Sequence, residues 1–253
     1  MVITWDITIP ELTGDETRRA YVYLPEEAER KPRKRYPVLY MFDGHNVFFD
    51  DHATYGKSWG LADYLDANEV PLIVAAVECN HHPDGGRLCE YSPFTYDDYV
   101  FGHIDGRGFI TMDWFVNEFK PYIDENFPTK PDRKHTYIAG SSMGGLMSLV
   151  AVTAYNEVFS RAAALSPSIW CAPDELDELF RTATIKRETV VYMDYGSKEL
   201  RYRGMSRRFS HVASILLSRG IWLSTRIVPW GEHTEASWER QIPFFINTLL
   251  YER

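Results

Sequence analysis

The stretch Tyr137-Ile138-Ala139-Gly140-Ser141-Ser142-Met143-Gly144-Gly145 decides the fold of this chain of 253 residues. It contains the pattern G-x-S-x-G, with a short apolar run before it and a helix-forming run, residues 146–151, after it. A sharp turn from strand to helix lifts a serine hydroxyl above a sheet and aims the free N–H groups of the new helix at the same point. The stretch therefore predicts an α/β fold with a nucleophilic serine at the turn.

Ser142 is the predicted nucleophile because it alone has glycine two residues away on both sides, at Gly140 and Gly144. The same positions around Ser141 carry alanine and methionine, which would crowd the tip of the turn. Ser141 is therefore interpreted as a packing or hydrogen-bonding neighbour. The backbone N–H of Met143, the residue after the nucleophile, is predicted to stabilise a developing oxyanion.

The overall charge argues against one class of partner. The chain has a formal net charge of −9 at pH 7, whereas a nucleic-acid-binding face needs a concentration of basic residues. One basic cluster, residues 30–35, directly follows several glutamates and contains a proline, so it is interpreted as a solvated loop. We expect no nucleic-acid partner, and the oligomeric state is left open.

The cysteines and the N-terminus favour a cytoplasmic protein. Cys79, Cys89 and Cys171 are odd in number and show no CxxC spacing, which is typical of reduced thiols. The N-terminus lacks the basic and apolar regions of a signal peptide, and no apolar run reaches the length of a membrane span, so we expect no membrane partner. His81-His82 and His103 have no i, i+4 helical frame, and we expect no metal and no other cofactor.

Strand-like and helix-like hydrophobic patterns alternate along the chain. They predict strands at residues 2–9, 18–24, 36–42, 70–77, 135–139, 161–165, 189–193 and 222–228, and helices at residues 59–68, 112–126, 143–155, 174–181, 203–218 and 237–250. Residues 79–108 are predicted to form a long loop beside a site. This alternation predicts a mostly parallel central sheet with helices on both faces, and residues 1–253 are predicted to form a single domain.

A nucleophilic serine needs a base, and the base needs an orienting acid. In α/β-hydrolases the order along the chain is serine, acid, histidine, each after the carboxyl end of a strand. His233 lies between the last predicted strand and the last predicted helix, and it is the predicted general base. Two candidate acids, Asp194 and Glu199, follow the preceding strand. We favour Glu199 because it lies beyond Gly196, further out on the loop, where it could reach His233.

The second oxyanion donor is expected on the loop after the strand that ends at Phe42. Gly44 lets the chain turn there, so that a backbone N–H faces the serine. We assign this donor to the amide of His45, with Asn46 as the alternative. The side chain of His45 needs no catalytic role under this interpretation.

Several segments together resemble the putative-esterase family of α/β-hydrolases. They are Asp43-Gly44-His45-Asn46, Arg87 with Glu90-Tyr91-Ser92-Pro93, the stretch around Ser142, Ser166-Pro167-Ser168-Ile169-Trp170, and Gly231-Glu232-His233. The resemblance covers about residues 17 to 250. That family includes esterase D (S-formylglutathione hydrolase), enterochelin-type siderophore esterases, feruloyl esterase domains and mycolyltransferases.

The resemblance implies a single α/β-hydrolase domain and a role for each matching residue. Ser142 matches the nucleophile, His233 the base, and Glu199 the acid three residues after a glycine. The amides of His45 and Met143 match the oxyanion hole. Many members carry aspartate where this chain has Glu199, and some siderophore-type members are described as working with a Ser–His pair.

Aromatic residues on the predicted loops indicate the kind of substrate. Trp170, Tyr91 and Trp230 lie where the pocket is expected, and an aromatic lining suits an apolar or aryl acyl ester. The alternative is that several of them pack beneath the long loop. Arg87 could bind an anionic group of the substrate, but we favour an ion pair with Glu90 that fixes the loop.

The predicted activity is that of a serine carboxylesterase, which hydrolyses a small-molecule ester through an acyl-enzyme. Two alternatives use the same chemistry: acyl transfer to an acceptor other than water, and hydrolysis of a siderophore trilactone. Few cations flank the predicted pocket, which weighs against a highly anionic siderophore. A non-catalytic scaffold is a further alternative, although such proteins usually lose a triad residue.

Overall fold

The computed structural model describes residues 1–202 and 204–251. Its β-strands are β1 (Val2–Thr8), β2 (Thr17–Tyr23), β3 (Val38–Met41), β4 (Ile73–Val77), β5 (Tyr96–Asp98), β6 (Gly102–Ile104), β7 (Thr136–Ser141), β8 (Arg161–Leu165), β9 (Val190–Gly196) and β10 (Trp222–Val228). Its α-helices are α1 (Pro10–Thr13), α2 (Glu26–Arg30), α3 (Leu61–Ala67), α4 (Gly86–Glu90), α5 (Gly108–Trp114), α6 (Lys120–Asn126), α7 (Met143–Ala154), α8 (Pro173–Thr182), α9 (Met205–Ser218), α10 (Glu235–Glu239) and α11 (Ile242–Leu250).

The central sheet of the described residues has eight strands in the order β1-β2-β4-β3-β7-β8-β9-β10. β2 runs antiparallel to both β1 and β4. The other strands of this sheet run parallel to one another, in the order β4-β3-β7-β8-β9-β10. Every residue of β3, β4, β7 and β8 is buried, as expected for parallel strands that helices cover on both faces. The predicted mostly parallel sheet of an α/β-hydrolase fold is therefore confirmed.

Two hydrophobic clusters, one on each face of the sheet, form the core. The larger contains α7, which is buried over residues 143–153 because it is apolar on all sides. The smaller packs α3, α10 and α11 against the opposite face of the same strands. Over the described residues, no helix is both long and apolar enough to cross a bilayer. Because the parallel strands all end at the same edge, the loops that follow them meet there.

The predicted loop at residues 79–108 is wrong in part, because it contains α4 and the antiparallel hairpin of β5 and β6. These elements are three to five residues long, which is too short to give a hydrophobic period in the sequence. The hairpin lies beside the candidate pocket, since Tyr96 packs edge-on against Trp170 with ring centroids 5.9 Å apart.

Two predicted helices differ from the structure in their interior. The helix predicted at residues 112–126 begins earlier, at Gly108, and passes through the π-helical segment Phe115–Phe119 between α5 and α6. The helix predicted at residues 237–250 is two helices, α10 and α11, because Pro243 in the first turn of α11 cannot donate a backbone hydrogen bond. The predicted start of α9 at Arg203 lies outside the described residues, and α9 is described from Met205.

Candidate active site

Ser142 occupies the turn between β7 and α7 in a strained conformation. Its φ of 58° and ψ of −122° are unusual for a residue other than glycine, and such strain is typical of functional sites. The backbone N–H of Ser142 donates to the carbonyl of Leu165 at 2.9 Å, and its carbonyl accepts from the N–H of Ser168 at 3.0 Å. The chain after β8 therefore fixes the turn from both sides.

The glycines around Ser142 are required by close packing. A Cβ at Gly140 would lie 2.7 Å from the carbonyl carbon of Gly144, and a Cβ at Gly144 would lie 2.9 Å from Cβ of Phe42. Real side chains essentially never come this close, so a larger residue at either position would push strand and helix apart. This crowding is the physical basis of the pattern that selected Ser142 in the sequence.

Glu199 and His233 form a direct hydrogen bond. Nδ1 of His233 lies 2.6 Å from Oε2 of Glu199, and because a carboxylate only accepts, Nδ1 is the donor. The other oxygen of Glu199 accepts from the hydroxyl of Ser166 at 2.7 Å and from the N–H of Gly196 at 2.8 Å. Burial acts to raise the pKa of Glu199, but the bonds from His233 and Ser166 lower it below its usual value. The carboxylate is therefore charged at neutral pH.

Asp194, the alternative acid, lies inside β9 and contacts other groups. Its carboxylate accepts from the hydroxyl of Tyr192 at 2.8 Å and from the N–H of Ser166 at 3.2 Å. Burial, the largest effect, raises its pKa to about 7. β9 ends three residues after the predicted strand, at Gly196, so Asp194 is held in the sheet, whereas Glu199 lies beyond it and contacts His233.

Two residues that the sequence analysis did not select hold this pair in place. The hydroxyl of Ser166 donates to Glu199 and accepts from the indole N–H of Trp238 at 3.1 Å. Trp238 also packs edge-on against the ring of His233, with centroids 5.0 Å apart at 82°. Ser166 has a φ of 44°, so it is a second strained residue of the site. The segment Ser166–Trp170 was part of the family resemblance. Trp238 could not be identified from the sequence, because its contacts with Ser166 and His233 depend on how α10 packs against the site.

The hydroxyl of Ser142 does not hydrogen-bond to His233 within residues 1–202 and 204–251. Its Oγ lies 3.5 Å from Oγ of Ser168, which is longer than a well-formed hydrogen bond between hydroxyls. In substrate-free hydrolases the bond between nucleophile and base is often long and tightens only when substrate binds. The backbone of Ser142 is nevertheless connected to the acid. Its N–H donates to the carbonyl of Leu165, and the next residue, Ser166, donates its hydroxyl to Glu199.

The loops that carry acid and base touch at two glycines. A Cβ on Gly196 would lie 2.3 Å from the carbonyl oxygen of Gly231 and 2.8 Å from Oε1 of Glu199. The N–H of Lys198 also donates to the carbonyl of Gly231 at 3.2 Å. This contact sets the distance between Glu199 and His233.

We therefore expect Gly196→Ala to lower kcat/KM for ester hydrolysis by about 10², the cost typical of a misplacement of about 1 Å in an active site. The added methyl group separates the two loops and the acid from the base. Steady-state kinetics, with thermal unfolding measured in parallel, checks this. Gly220→Ala is the control, because its added Cβ meets nothing within 4 Å while its φ of 77° still costs stability. Equal losses in both variants would contradict the argument.

The candidate oxyanion donors lie at the start of α7 and in a short 3-10 turn. Met143 is the first residue of α7, so its N–H has no acceptor within the helix. His45 lies in the 3-10 turn Gly44–Asn46, which follows β3. A Cβ on Gly44 would lie 2.8 Å from the ring of Tyr21 and 2.9 Å from the carbonyl carbon of Val77, so this turn is wedged against β2 and β4.

Arg87 is bound to Asp43, and the predicted ion pair with Glu90 is wrong. The guanidinium donates to both carboxylate oxygens of Asp43 at 2.7 Å, whereas Glu90 pairs with Arg18 at 2.7 Å. Burial acts to raise the pKa of Asp43, but Arg87 lowers it below its usual value. Arg87 thus holds the residue before the oxyanion turn, and an anionic substrate group would compete with Asp43 for its guanidinium.

Glu235, at the start of α10, is a buried carboxyl group. Burial raises its pKa, the charge of Asp43 raises it further, and the charges of His233 and Arg87 lower it. His45 follows β3 and His233 follows β10, so the oxyanion loop and the base both lie at the carboxyl edge of the parallel strands.

A cavity of about 450 Å³ opens beside His233. Ser166, Trp170, Tyr195, Glu199, Tyr202, Met205 and His233 line it. Trp170, one of the predicted pocket residues, lines this cavity. Tyr91 is fully buried, and its hydroxyl accepts a hydrogen bond from the N–H of Asp43 at 3.3 Å, so it supports the oxyanion loop and does not line this cavity. Trp230 is 73% exposed and is outside this lining. A larger cavity, about 800 Å³, lies at the amino ends of β8, β9 and β10, away from Ser142.

A strained serine between strand and helix, with a carboxylate–histidine pair after later strands of the same sheet, is typical of a serine hydrolase. The family model described as Putative esterase matches residues 13–251, and the chain belongs to that family. The protein is therefore a carboxylic-ester hydrolase.

Three known proteins illustrate the similarity. Uncharacterized protein YbbA of Bacillus subtilis (strain 168) is 25% identical over 202 residues, which are 76% of this chain and 72% of that protein. An endo-1,4-beta-xylanase/feruloyl esterase of Xylanibacter ruminicola is 29% identical over 177 residues, 66% of this chain but only 22% of that protein. The structure of an IroE-like serine hydrolase from Shewanella oneidensis superposes with a TM-score of 0.75 at 18% identity, over 97% of this chain and 79% of that one.

Proposed function

We propose that the protein hydrolyses the ester of a small molecule through an acyl-enzyme on Ser142, with His233 as general base and Glu199 as the orienting acid. One observation carries the proposal: the 2.6 Å hydrogen bond between Glu199 and His233, in a fold whose β7–α7 turn holds a serine at φ 58°. Nδ1 donates to Glu199, so Nε2 keeps the lone pair that a general base needs.

The reaction follows from these groups. Ser142 Oγ attacks the ester carbonyl carbon, and its proton passes to Nε2 of His233. The N–H groups of Met143 and His45 donate to the oxyanion that forms. His233 then gives the proton to the departing alcohol, which leaves the acyl group on Ser142. Water attacks this acyl-enzyme, loses a proton to His233, and releases the carboxylic acid as the proton returns to Ser142.

The cavity beside His233 supports an apolar or aryl group in the substrate. Trp170, Tyr195, Tyr202 and Met205 supply most of its wall, and aromatic walls favour flat or apolar groups. Among the described residues that line it, none carries a positive side chain, which argues against a polyanionic siderophore. The name of the Xylanibacter relative includes feruloyl esterase, and a feruloyl group is an aryl acyl group.

Hydrolysis is favoured over acyl transfer because the side chain of His233 is 47% exposed, so water reaches the base. The one central sheet of the described residues supports the proposal of a single α/β-hydrolase domain. Cys79, Cys89 and Cys171 are free thiols, which supports a reducing, cytoplasmic compartment.

Labelling with a fluorophosphonate probe tests the proposed function. We expect the folded protein to be labelled on one peptide, the one that contains Ser142, and to hydrolyse p-nitrophenyl esters and an aryl-acyl ester. Heat-unfolded protein is the control, because activation of the hydroxyl needs the assembled site. Labelling on another serine, or none in the folded protein, would contradict the proposal. Formation of a new ester when an alcohol is added would favour the acyl-transfer alternative.

A further inference from the structure

Three side chains with metal-binding atoms meet beside the oxyanion turn. A ring nitrogen of His45, the sulfur of Cys79 and a ring nitrogen of His81 all lie within 4.8 Å of one another. His45 follows β3, and Cys79 and His81 follow β4, which is the parallel neighbour of β3. The sequence separates the two loops by more than thirty residues, so no linear metal motif exists and only the fold brings the donors together.

His45 has the arrangement of a histidine prepared for an ion. It is only 5% exposed, and its Nε2 lies 3.0 Å from the hydroxyl of Thr54. Its Nδ1 is buried and has no hydrogen-bond partner among the described residues. Buried polar atoms are rarely left without a partner. When one ring nitrogen of a histidine donates to a neighbouring group, the other keeps a lone pair for a metal ion, which is the usual pattern at metal sites.

Cys79 and His81 complete the donor set, one buried and one exposed. Cys79 is buried, and burial raises the pKa of its thiol well above the usual value. His81 is exposed, and its ring lies edge-on to that of His45 with centroids 4.7 Å apart. A tetrahedral ion with bonds of about 2.0–2.3 Å separates its ligand atoms by about 3.3–3.8 Å. Because the donor atoms lie up to 4.8 Å apart, a bound ion must draw the three side chains together, and the exposed His81 leaves a path for the ion from solvent.

We propose that His45, Cys79 and His81 bind a divalent transition-metal ion of the zinc type, with water as the fourth ligand, and that the bound ion inhibits ester hydrolysis. One thiolate and two imidazoles suit zinc, and not the oxygen-preferring magnesium or calcium. The thiol of Cys79 loses its proton to solvent as the sulfur–metal bond forms.

Inhibition rests on the proposed function, because it acts through the oxyanion hole. The backbone N–H of His45 is one of the two proposed oxyanion donors. A bound ion draws the ring of His45 towards Cys79 and His81 and turns that N–H away from the reacting carbonyl. Loss of one such donor lowers kcat by about 10²–10³, while substrate binding in the cavity beside His233 is affected less.

Metal binding is measured without reference to catalysis. We expect Zn²⁺ to bind one-to-one in calorimetry, and Co²⁺ in its place to give a thiolate-to-cobalt charge-transfer band. His81→Ala should weaken binding by at least about tenfold, and Cys79→Ser should remove the band. His82→Ala is the matched control, because the neighbouring histidine is exposed and outside the cluster, and its binding should equal that of the wild type. Absence of the band in the wild type, or equal affinity in His81→Ala, would overturn the site.

Inhibition is measured by titrating Zn²⁺ into the esterase assay and reversing it with a chelator. We expect kcat to fall with saturation in the wild type and in His82→Ala, and His81→Ala to resist. Inhibition that persists in His81→Ala, or a filled site with unchanged kcat, would overturn the inhibitory role. A protein without any esterase activity would refute the proposed function instead. The cobalt charge-transfer band would still show whether the metal site exists.

Discussion

Ser142→Ala is expected to lower kcat for ester hydrolysis by about 10⁴–10⁶, the loss seen when the nucleophile of a serine hydrolase triad is removed. Alanine has no atom that can form the acyl-enzyme, and the remaining donors only polarise the carbonyl for direct attack by water. The backbone is already at φ 58° with serine, so alanine adds no new strain and the fold should persist. Steady-state kinetics and active-site labelling, with circular dichroism of the same samples, check the result.

Ser141→Ala is the matched control for this experiment. Ser141 is adjacent and buried, and its carbonyl accepts from Arg87 at 3.4 Å, an interaction that the substitution leaves in place. Its kcat should therefore stay near that of the wild type. If Ser142→Ala retained most of its activity, the nucleophile would be another hydroxyl. Ser168, whose Oγ is 3.5 Å from that of Ser142, is the first to test by Ser168→Ala.

The fold could be predicted because its determinants are local in the sequence. β8 and β10 have the predicted bounds, and the helix after Ser142 ends within one residue of its prediction. The runs that form them are long enough to show their period. α4 and the β5–β6 hairpin could not be predicted, because an element of three to five residues is too short to show a hydrophobic period. The end of β9 was placed too early because Asp194, a charged residue, continues the strand.

The site could be predicted only where chain order constrains it. Ser142, Glu199 and His233 follow β7, β9 and β10, and parallel strands bring such loops to one edge. Partners fixed by packing could not be predicted in this way. Arg87 was paired with Glu90 because the two are close in sequence, yet Glu90 points to Arg18 on β2 and Arg87 reaches Asp43. Trp238 and the His45–Cys79–His81 cluster likewise depend on contacts between distant segments.

Glu199→Gln is expected to lower kcat by about 10³–10⁴, since replacing the triad carboxylate of a serine protease by its amide costs about 10⁴. Glu199 accepts three hydrogen bonds, from His233 on one oxygen and from Ser166 and Gly196 on the other. An amide has one accepting oxygen. If its NH₂ faces His233, Nδ1 must give up its proton, and Nε2 then carries the hydrogen and cannot act as a base. If its NH₂ faces the other way, it opposes the donors Ser166 and Gly196.

Asp194→Asn is the matched control for Glu199→Gln, because it makes the same chemical change in the alternative acid. The carbonyl oxygen of an asparagine can still accept from Tyr192 or from the N–H of Ser166, the partners that Asp194 has now. Burial raises the pKa of Asp194 to about 7, so a neutral side chain at this position is already close to the native state. Activity should therefore survive Asp194→Asn and fail in Glu199→Gln. The reverse pattern, measured by kcat with p-nitrophenyl esters, would transfer the role of the acid to Asp194 and make the 2.6 Å bond between Glu199 and His233 a structural contact.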